Sequence, residues 1–499
     1  MVQKLLFKQN DSTTHGFNIQ ISNSTNVPRY DRLQDIKNGT LRFAEWYYGP
    51  QKRFLAAYEF LHTSNGFFKT IKANLNYQNI EESRQTREYR RLDRFDSQLE
   101  KVKVIGATIS GRKIINNHEL VMGADMQLNI VNSTATATNL STAIVSPLNT
   151  RYPDGKNNMN NVGIYAQHTY KFNNKKWVLN DGVRIQFISL KSNIVDNSFF
   201  KLPDTLFNQK NIALTGNIGV VYAASKSTSI STSIASGFRA PNVDDLSKIF
   251  ETNTATRQVV FPNENLKPEY TYNLDLSVTQ KIGNQIVLYI TGYYTLFNNA
   301  IVKAPFTING QDSIDFNGVR SQVLASQNIN KATVAGFSIG TSIQLFKGCV
   351  LVSTLSYTKA FFKTDVNKTS AVYEKQANGT YAIVNKNVSK KPLDHISPLL
   401  GKTSILYEYK VFNTEFNLLY NGWKRLSEYN VDGEDNAQYA TADGMPAWIT
   451  ANWKASYSFT KKSMVQIGVD NIFDRNYRTF ASGFSAGGRN FMVALRVGW

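Results

Sequence analysis

The sequence predicts an all-β chain folded as a transmembrane antiparallel β-barrel of about 19 strands, and three observations carry that expectation. Segments of strand length alternate apolar and polar residues from one end of the 499-residue chain to the other. The connections between them are short and long in turn. The chain holds 30 Phe and 25 Tyr at a mean hydropathy of −0.33, with no run of about 18 apolar residues that could span a bilayer as a helix. Only alternate residues of a barrel strand face lipid, so a membrane barrel can be polar on average.

Taken in order, short turns join candidate strands in pairs. Strands 2–8 and 15–22 flank Asp11-Ser12, and 52–63 and 67–80 flank Thr63-Ser64-Asn65-Gly66. The pairs 97–110/117–130, 160–173/176–190 and 211–223/228–236 follow, then 270–281/285–297, 331–345/349–361, 397–409/412–423 and 446–459/464–472, with 488–499 closing the chain. Asn173-Asn174-Lys175, Ile282-Gly283-Asn284, Phe346-Lys347-Gly348 and Thr460-Lys461-Lys462 are tight-turn sequences. Long segments lie between the pairs, at 23–51, 131–159, 237–269, 298–330, 362–396 and 424–445. Short turns at one end and long loops at the other distinguish an outer-membrane barrel from a soluble sandwich.

Individual strands show which face is which. In the last one Phe491, Val493, Leu495, Val497 and Trp499 share a face opposite Met492, Ala494, Arg496 and Gly498. In 446–459, Ile449, Ala451, Trp453, Ala455, Tyr457 and Phe459 oppose Thr450, Asn452, Lys454, Ser456 and Ser458. In 270–281, Leu274, Leu276 and Val278 oppose Asn273, Asp275, Ser277 and Thr279. A Lys facing lipid at mid-membrane costs about 2–4 kcal/mol, so Lys454 and Asp275 mark the lumenal face.

The single cysteine, Cys349, sits in a Lys-Gly-Cys turn and excludes an internal disulfide and a cysteine-based metal site. A net charge of +19 points to an anionic partner. The cations are scattered rather than clustered in blocks, which suits lipopolysaccharide phosphates or an anionic solute better than nucleic acid. The first residues, Met1 to Phe7, already have strand character and no signal-peptide pattern. A barrel must be exported, so the chain is expected to be the C-terminal part of a longer protein, and an odd strand tally ending toward the periplasm implies an odd number of strands ahead of it.

Four strings carry a family resemblance: NVPRYDRL at 26–33 with AEWYYGPQKR at 44–53, YQNIEESRQTR at 77–87, SGFRAPNVDDL at 236–246 with NENLKPEYTYNLDL at 263–276, and VDNIFDRNYRTFASGFSAGGRNFMVALRVGW at 469–499. In this order they resemble the barrel of a TonB-dependent outer-membrane receptor of the Bacteroidetes type. The motif residues are Phe238, Arg239, Ala240, Pro241, Asn265, Leu266, Lys267, Pro268 and Glu269, then Gly488, Arg489, Asn490, Phe491 and Trp499. The resemblance implies a barrel of the 22-strand receptor type with a plug folded inside it. It also implies that about three first strands, the plug, the TonB box and the signal peptide lie ahead of residue 1, and that the TonB complex acts through that plug. Uptake of a scarce solute follows, foremost a ferric siderophore. A haem or haemoglobin receptor and a vitamin B12 receptor are alternatives within the family, and a passive porin-like channel is one outside it.

Arg29, Tyr30, Arg32, Trp46, Tyr47, Tyr48, Arg53 and Arg239 are the candidate ligand contacts, because guanidinium groups and aromatic planes suit anionic, partly aromatic chelates. Trp46, Tyr47 and Tyr48 also fit an interfacial belt or the packed base of a loop. Arg239 and Pro241, with Lys267, Pro268 and Glu269, fit a loop-shaping role as well. Glu81, Glu82, Arg84 and Arg87 form a charge cluster expected to face the lumen and the plug, or to pair among themselves. The resemblance to haem receptors lacks its ligand, because no histidine lies between Phe238 and Glu264, and Glu264 stands where that pattern carries proline. His15, His62, His118, His168 and His395 are scattered, Asp432-Gly433-Glu434-Asp435-Asn436 lacks EF-hand spacing, and Asp394-His395 has no nucleophile partner. No cofactor, metal site or enzymatic activity is expected.

Overall fold

The computed structural model describes residues 1–37, 39–199, 204–247, 250–253, 257–316 and 319–498; Trp499 lies outside them. One antiparallel meander dominates. Its strands are β1 (Val2–Lys8), β2 (Thr13–Asn23), β3 (Lys52–Thr63), β4 (Thr70–Glu88), β5 (Arg94–Ile115), β6 (His118–Asn139) and β7 (Asn157–Lys171). They continue as β8 (Trp177–Asn193), β9 (Leu206–Ala223), β10 (Thr228–Arg239), β11 (Glu269–Ile282), β12 (Ile286–Pro305) and β13 (Val319–Phe346). The last are β14 (Cys349–Lys363), β15 (Leu400–Tyr409), β16 (Phe412–Asn421), β17 (Trp448–Thr460), β18 (Ser463–Asp470) and β19 (Asn490–Val497). Each strand pairs with the next, and a strand occupies every position the alternation indicated. Among the described residues no helix is long and apolar enough to cross a membrane.

The alternation sorts the side chains into two faces. A row of backbone partners, Ala107, Met126, Val162, Phe187 and Ile212, runs around the outside from β5 to β9. Phe187 and Ile212 there are 44% and 67% exposed, a cost in water that lipid removes. The inner face is polar: Lys454 pairs with Asp470 at 3.6 Å, and Asp275 accepts hydrogen bonds from Asn273 and Ser233.

Several boundaries differ from the sequence expectation, three of them most. Residues 131–139, 298–305 and 319–330 belong to strands rather than loops, and β13 reaches 28 residues. A bilayer needs only about 9–11 residues per strand. Above it both faces meet water, so alternation fades from the sequence while the neighbouring backbone still supplies ladder partners. The first long connection contains a strand of its own, Phe43–Tyr48, which pairs with Val27–Pro28 and with the top of β4. Cys349 is the buried first residue of β14 rather than a turn residue.

β1 is paired only with β2 and β19 only with β18; among the described residues no ladder joins β1 to β19. Leu6 on one edge is 79% exposed, as is Val493 on the other.

The long connections fold over their end of the sheet. Gln258–Phe261 lies parallel to Gln322–Ala325 of β13, and Val259, Val323 and Leu324 are fully buried. Phe261, Phe316 and Val323 pack with Val259, with Ile194, Phe306, Ile308 and Ile314 around them. A second cluster joins Leu190, Val243, Leu246 and Leu266. These connections are therefore a layer with an apolar core.

Candidate functional site

The first component of the site is an aromatic–arginine stack in the connection between β2 and β3. Arg29 donates two hydrogen bonds to Asp31, at 2.8 and 2.6 Å, and another to the Tyr48 hydroxyl. Its guanidinium carbon lies 4.9 Å from the Trp46 ring centre and 5.2 Å from that of Tyr48, while Arg84 approaches the same Tyr48 ring at 5.3 Å. Arg84 in turn bridges Glu82 and Glu100, each at 2.5 Å. Arg32 pairs with Asp35 at 3.4 Å. Arg53, on the lumenal face of β3, donates to Gln78 at 2.8 Å. Tyr30 is 60% exposed and Tyr47 partly so. The predicted arginines are thus already engaged, and their planar faces and the exposed Tyr30 ring are what a ligand could meet.

The Glu81–Arg87 cluster divides. Alternation puts Glu82 and Arg84 on the lumenal face with Asn76 and Gln78, and Glu81 and Arg87 on the other. Glu81 pairs outside with Lys52 at 3.0 Å and Lys101 at 3.7 Å; Arg87 pairs with Glu45. The expectation of one lumenal cluster is corrected for these two residues, because neighbours in a strand point to opposite faces.

The second component is the strap between β10 and β11. Arg239 donates to Asp245 at 2.8 Å and Glu269 at 3.0 Å. Asp245 also accepts from the Asn242 backbone, and Glu269 from the Ile301 backbone. A short helix α1 (Val243–Ser247) buries Val243 and Leu246 against Leu190 and Leu266. Ala240 and Pro241 are buried, Phe238 packs on Tyr270 at 5.1 Å, and the Lys267 backbone exchanges two hydrogen bonds with the Asn328 side chain. Asn265 is exposed and Pro268 partly buried. The described residues of this strap are held by ties to one another and to β8, β12 and β13, and Arg239 is one of those ties.

The third component was not legible in the sequence. Lys391 and Asp432 form an ion pair at 2.6 Å with side chains only 5% and 9% exposed, and Gln258 also reaches Asp432 at 3.4 Å. Lys424 contacts Asp435 at 3.3 Å and the Ile396 carbonyl at 2.6 Å. Asp435 accepts from the His395 backbone and side chain, and Lys303 pairs with Glu434. The acidic run 432–436 is therefore neutralised by Lys303 and Lys391 from two other segments and by Lys424 of its own connection, which fits no Ca²⁺ loop. Burial pushes the Lys424 ammonium down. Burial and the nearby Asp435 carboxylate push Asp394 up to about 6, and the Asp435 hydrogen bond raises His395. Asp432–Asp435 was visible as an acidic loop; nothing near Lys391 or Lys424 in the sequence announced their partners.

A clasp spans the two ends of the chain. The Tyr439 hydroxyl donates to Asp35 at 3.2 Å across 404 positions, Arg478 donates to the Tyr439 carbonyl, and Asn436 donates to the Ala481 carbonyl at 2.7 Å. The Arg489 backbone and guanidinium are fixed by Asp474 and the Ile472 carbonyl. Gly488 precedes it, and Asn490 and Phe491 open β19. Four of the five histidines, His15, His62, His118 and His168, lie on the outer face toward the short turns, far along the strands from this layer.

The family described as TonB-dependent receptor-like β-barrel matches residues 4–472. The chain belongs to this family. Its members are outer-membrane transport receptors rather than enzymes. A curated relative, the iron-regulated outer membrane virulence protein of Vibrio cholerae serotype O1, is 20% identical over 267 residues. That stretch is 53% of this chain and 36% of the relative, so the match spans little over a third of that protein. Among solved structures, the copper transporter OprC superposes with a TM-score of 0.73 at 14% identity, over 99% of this chain and 70% of that one. The hemophore receptor of Serratia marcescens gives 0.68 at 12% identity, over 99% and 70%. The ferric enterobactin receptor of Pseudomonas aeruginosa gives 0.67 at 14% identity, over 99% and 68%. At these identities the likeness is one of fold.

Within this receptor barrel the three components occupy the long-connection end, which is the extracellular end of such a barrel. The lumenal wall beneath them carries Asn76, Gln78, Asp125 and Arg184.

Proposed function

We propose that this chain is the wall and outer mouth of a TonB-dependent receptor that takes up an iron chelate, foremost a ferric siderophore. The observation that carries this reading is the stack at the long-connection end, where Arg29, Trp46 and Tyr48 of the β2–β3 connection meet Arg84 on the lumenal face of β4. Planar cations and rings suit a flat, anionic, partly aromatic chelate. The iron-linked names of the Vibrio and Pseudomonas proteins support the solute class. Strands and a plug preceding residue 1, with the TonB complex acting through that plug, complete the reading; two unpaired sheet edges support it, since an open edge in lipid costs several kcal/mol per unpaired group. A loop layer with its own apolar core favours gated uptake over a passive channel.

The test is a deletion strain grown on single iron sources, with radioiron uptake measured with and without a proton uncoupler. Loss of growth on one chelate class, with uptake abolished by the uncoupler, is the expected result. Unchanged growth on every iron source overturns the iron assignment, and uptake indifferent to the uncoupler overturns energy coupling.

A further inference from the structure

Two histidines meet on the outer face of the wall at its short-turn end. His118 opens β6 and His168 lies on β7, 50 positions away. No ligand spacing links them in the sequence; the β6–β7 register sets Tyr170 opposite His118 and His168 opposite Leu120. His118 Nδ1 and His168 Nε2 are 2.9 Å apart. His168 Nδ1 is 3.0 Å from the carboxylate of Asp181 on β8, its direct cross-strand partner. A carboxylate only accepts, so His168 carries its proton on Nδ1 and turns the Nε2 lone pair toward His118. The His118 ring is steadied by a stack on Tyr170 at 4.4 Å.

The place is costly for such groups. Along the row, Leu120 and Ile218 flank His168 and Asp181; along β8, Leu179 and Val183 flank Asp181 on the same face. Ionised side chains on the lipid face destabilise a barrel, and leucine or valine would serve the alternation at no cost. Trp177 and Tyr222, stacked at 4.1 Å, mark this level as the membrane–water boundary. His118 is exposed there, so ions reach the pair from the aqueous side.

Two imidazole nitrogens with a carboxylate behind one of them suit a borderline divalent ion. A ligating histidine donates its other ring N–H to a carboxylate, which fixes the tautomer and raises the basicity of the ligand nitrogen. The 2.9 Å separation matches two cis nitrogens, each about 2.0–2.1 Å from one tetragonal ion. A tetrahedral ion needs about 3.3 Å, which a small swing of the exposed His118 ring supplies. Among the described residues no third ligating side chain gathers with them, so water completes the coordination.

We propose that His118 and His168, with Asp181 orienting His168, bind a zinc or copper ion at the short-turn rim of the wall and so staple β6 to β7. The inference goes beyond the uptake reading and is independent of the solute.

The experiment uses the full-length receptor without an affinity tag, in mild detergent and stripped of metal. Cu²⁺ is titrated with electron paramagnetic resonance reporting nitrogen coordination, and Zn²⁺ with calorimetry; Mg²⁺, which prefers oxygen ligands, is the control. The wild type should bind Cu²⁺ through two nitrogens, bind Zn²⁺ and ignore Mg²⁺. H118Q and H168Q should each abolish the two-nitrogen signal. D181V, which suits the lipid boundary, should fold as well as the wild type yet bind either ion about 10–100-fold more weakly. H15Q/H62Q, which removes two other imidazoles of the outer face, should leave binding unchanged. The heat-modifiable band reports folding of every variant, and the metal content of receptor purified from outer membranes tells zinc from copper. Survival of the two-nitrogen signal in H118Q or H168Q, its loss in H15Q/H62Q, or wild-type affinity in D181V overturns the proposal.

Discussion

Arg184 on β8 grips Asp125 on β6 with two hydrogen bonds, at 2.6 and 2.7 Å, by laying its guanidinium across Gly163 of the strand between them. Any Cβ at Gly163 would occupy the space of that guanidinium. A two-strand reach is possible only because the middle strand has no side chain there. We predict that Gly163→Val, which β-propensity alone would favour, destabilises the receptor by about 1–3 kcal/mol through overpacking. The measurement is the temperature at which the folded band is lost on electrophoresis. In a double-mutant cycle Arg184→Ala should add nothing further to Gly163→Val; full additivity would mean the bridge is not what Gly163 protects.

The Lys391–Asp432 pair gives a sharper test of the loop layer. Removing one partner of a buried pair leaves an uncompensated charge and costs about 3–5 kcal/mol, whereas replacing both can be neutral. Lys391→Met should therefore make segments 390–396 and 430–435 protease-sensitive, and Lys391→Met with Asp432→Leu should restore resistance. If the double variant is as sensitive as the single one, the pair is not an isolated electrostatic tie.

The acid dependence of the same layer has a definite sign. Asp394 is raised to about 6 by burial and by Asp435, so in the window from about 4 up to about 6 the folded state holds a proton the unfolded state has lost. Stability falls as pH rises through that window. His395, raised by its hydrogen bond to Asp435, contributes stability that is also lost as pH rises through its folded pKa. Asp435 is held low by His395 and Lys424 against the cost of burial, and gives way only below the ordinary carboxylate range. Glu434 and Lys424 complete the charges facing Asp394. Hydrogen exchange in 390–396 and 430–436, corrected for intrinsic rates, should be slower at pH 5 than at pH 7.5. Asp394→Asn should slow it at pH 7.5. Faster exchange at pH 5 would refute this assignment.

The unpaired edges predict the behaviour of residues 1–499 expressed alone with an export signal. Among the described residues, β1 and β19 each leave a row of backbone groups without ladder partners. No heat-modifiable, protease-resistant band should form, and a chain extended by the strands proposed above should produce one. A resistant band from the shorter chain would mean its edges pair with each other in the membrane.

What the sequence determined by itself was the ladder and its two faces. Ile449, Leu274 and Phe491 face outward, and Asp275 and Lys454 inward, because a strand's period of two depends on nothing but the order of residues. The four strings, likewise local, were enough for the family. Tertiary structure alone decided which charges meet: that Glu81 lies between Lys52 and Lys101, that Arg184 crosses Gly163, that Lys391 finds Asp432, and that Tyr439 reaches Asp35. These contacts join residues tens to hundreds of positions apart; the first two form where wall strands pair side by side, and the last two because loops fold back over the sheet. No local pattern encodes which side chain will be waiting there.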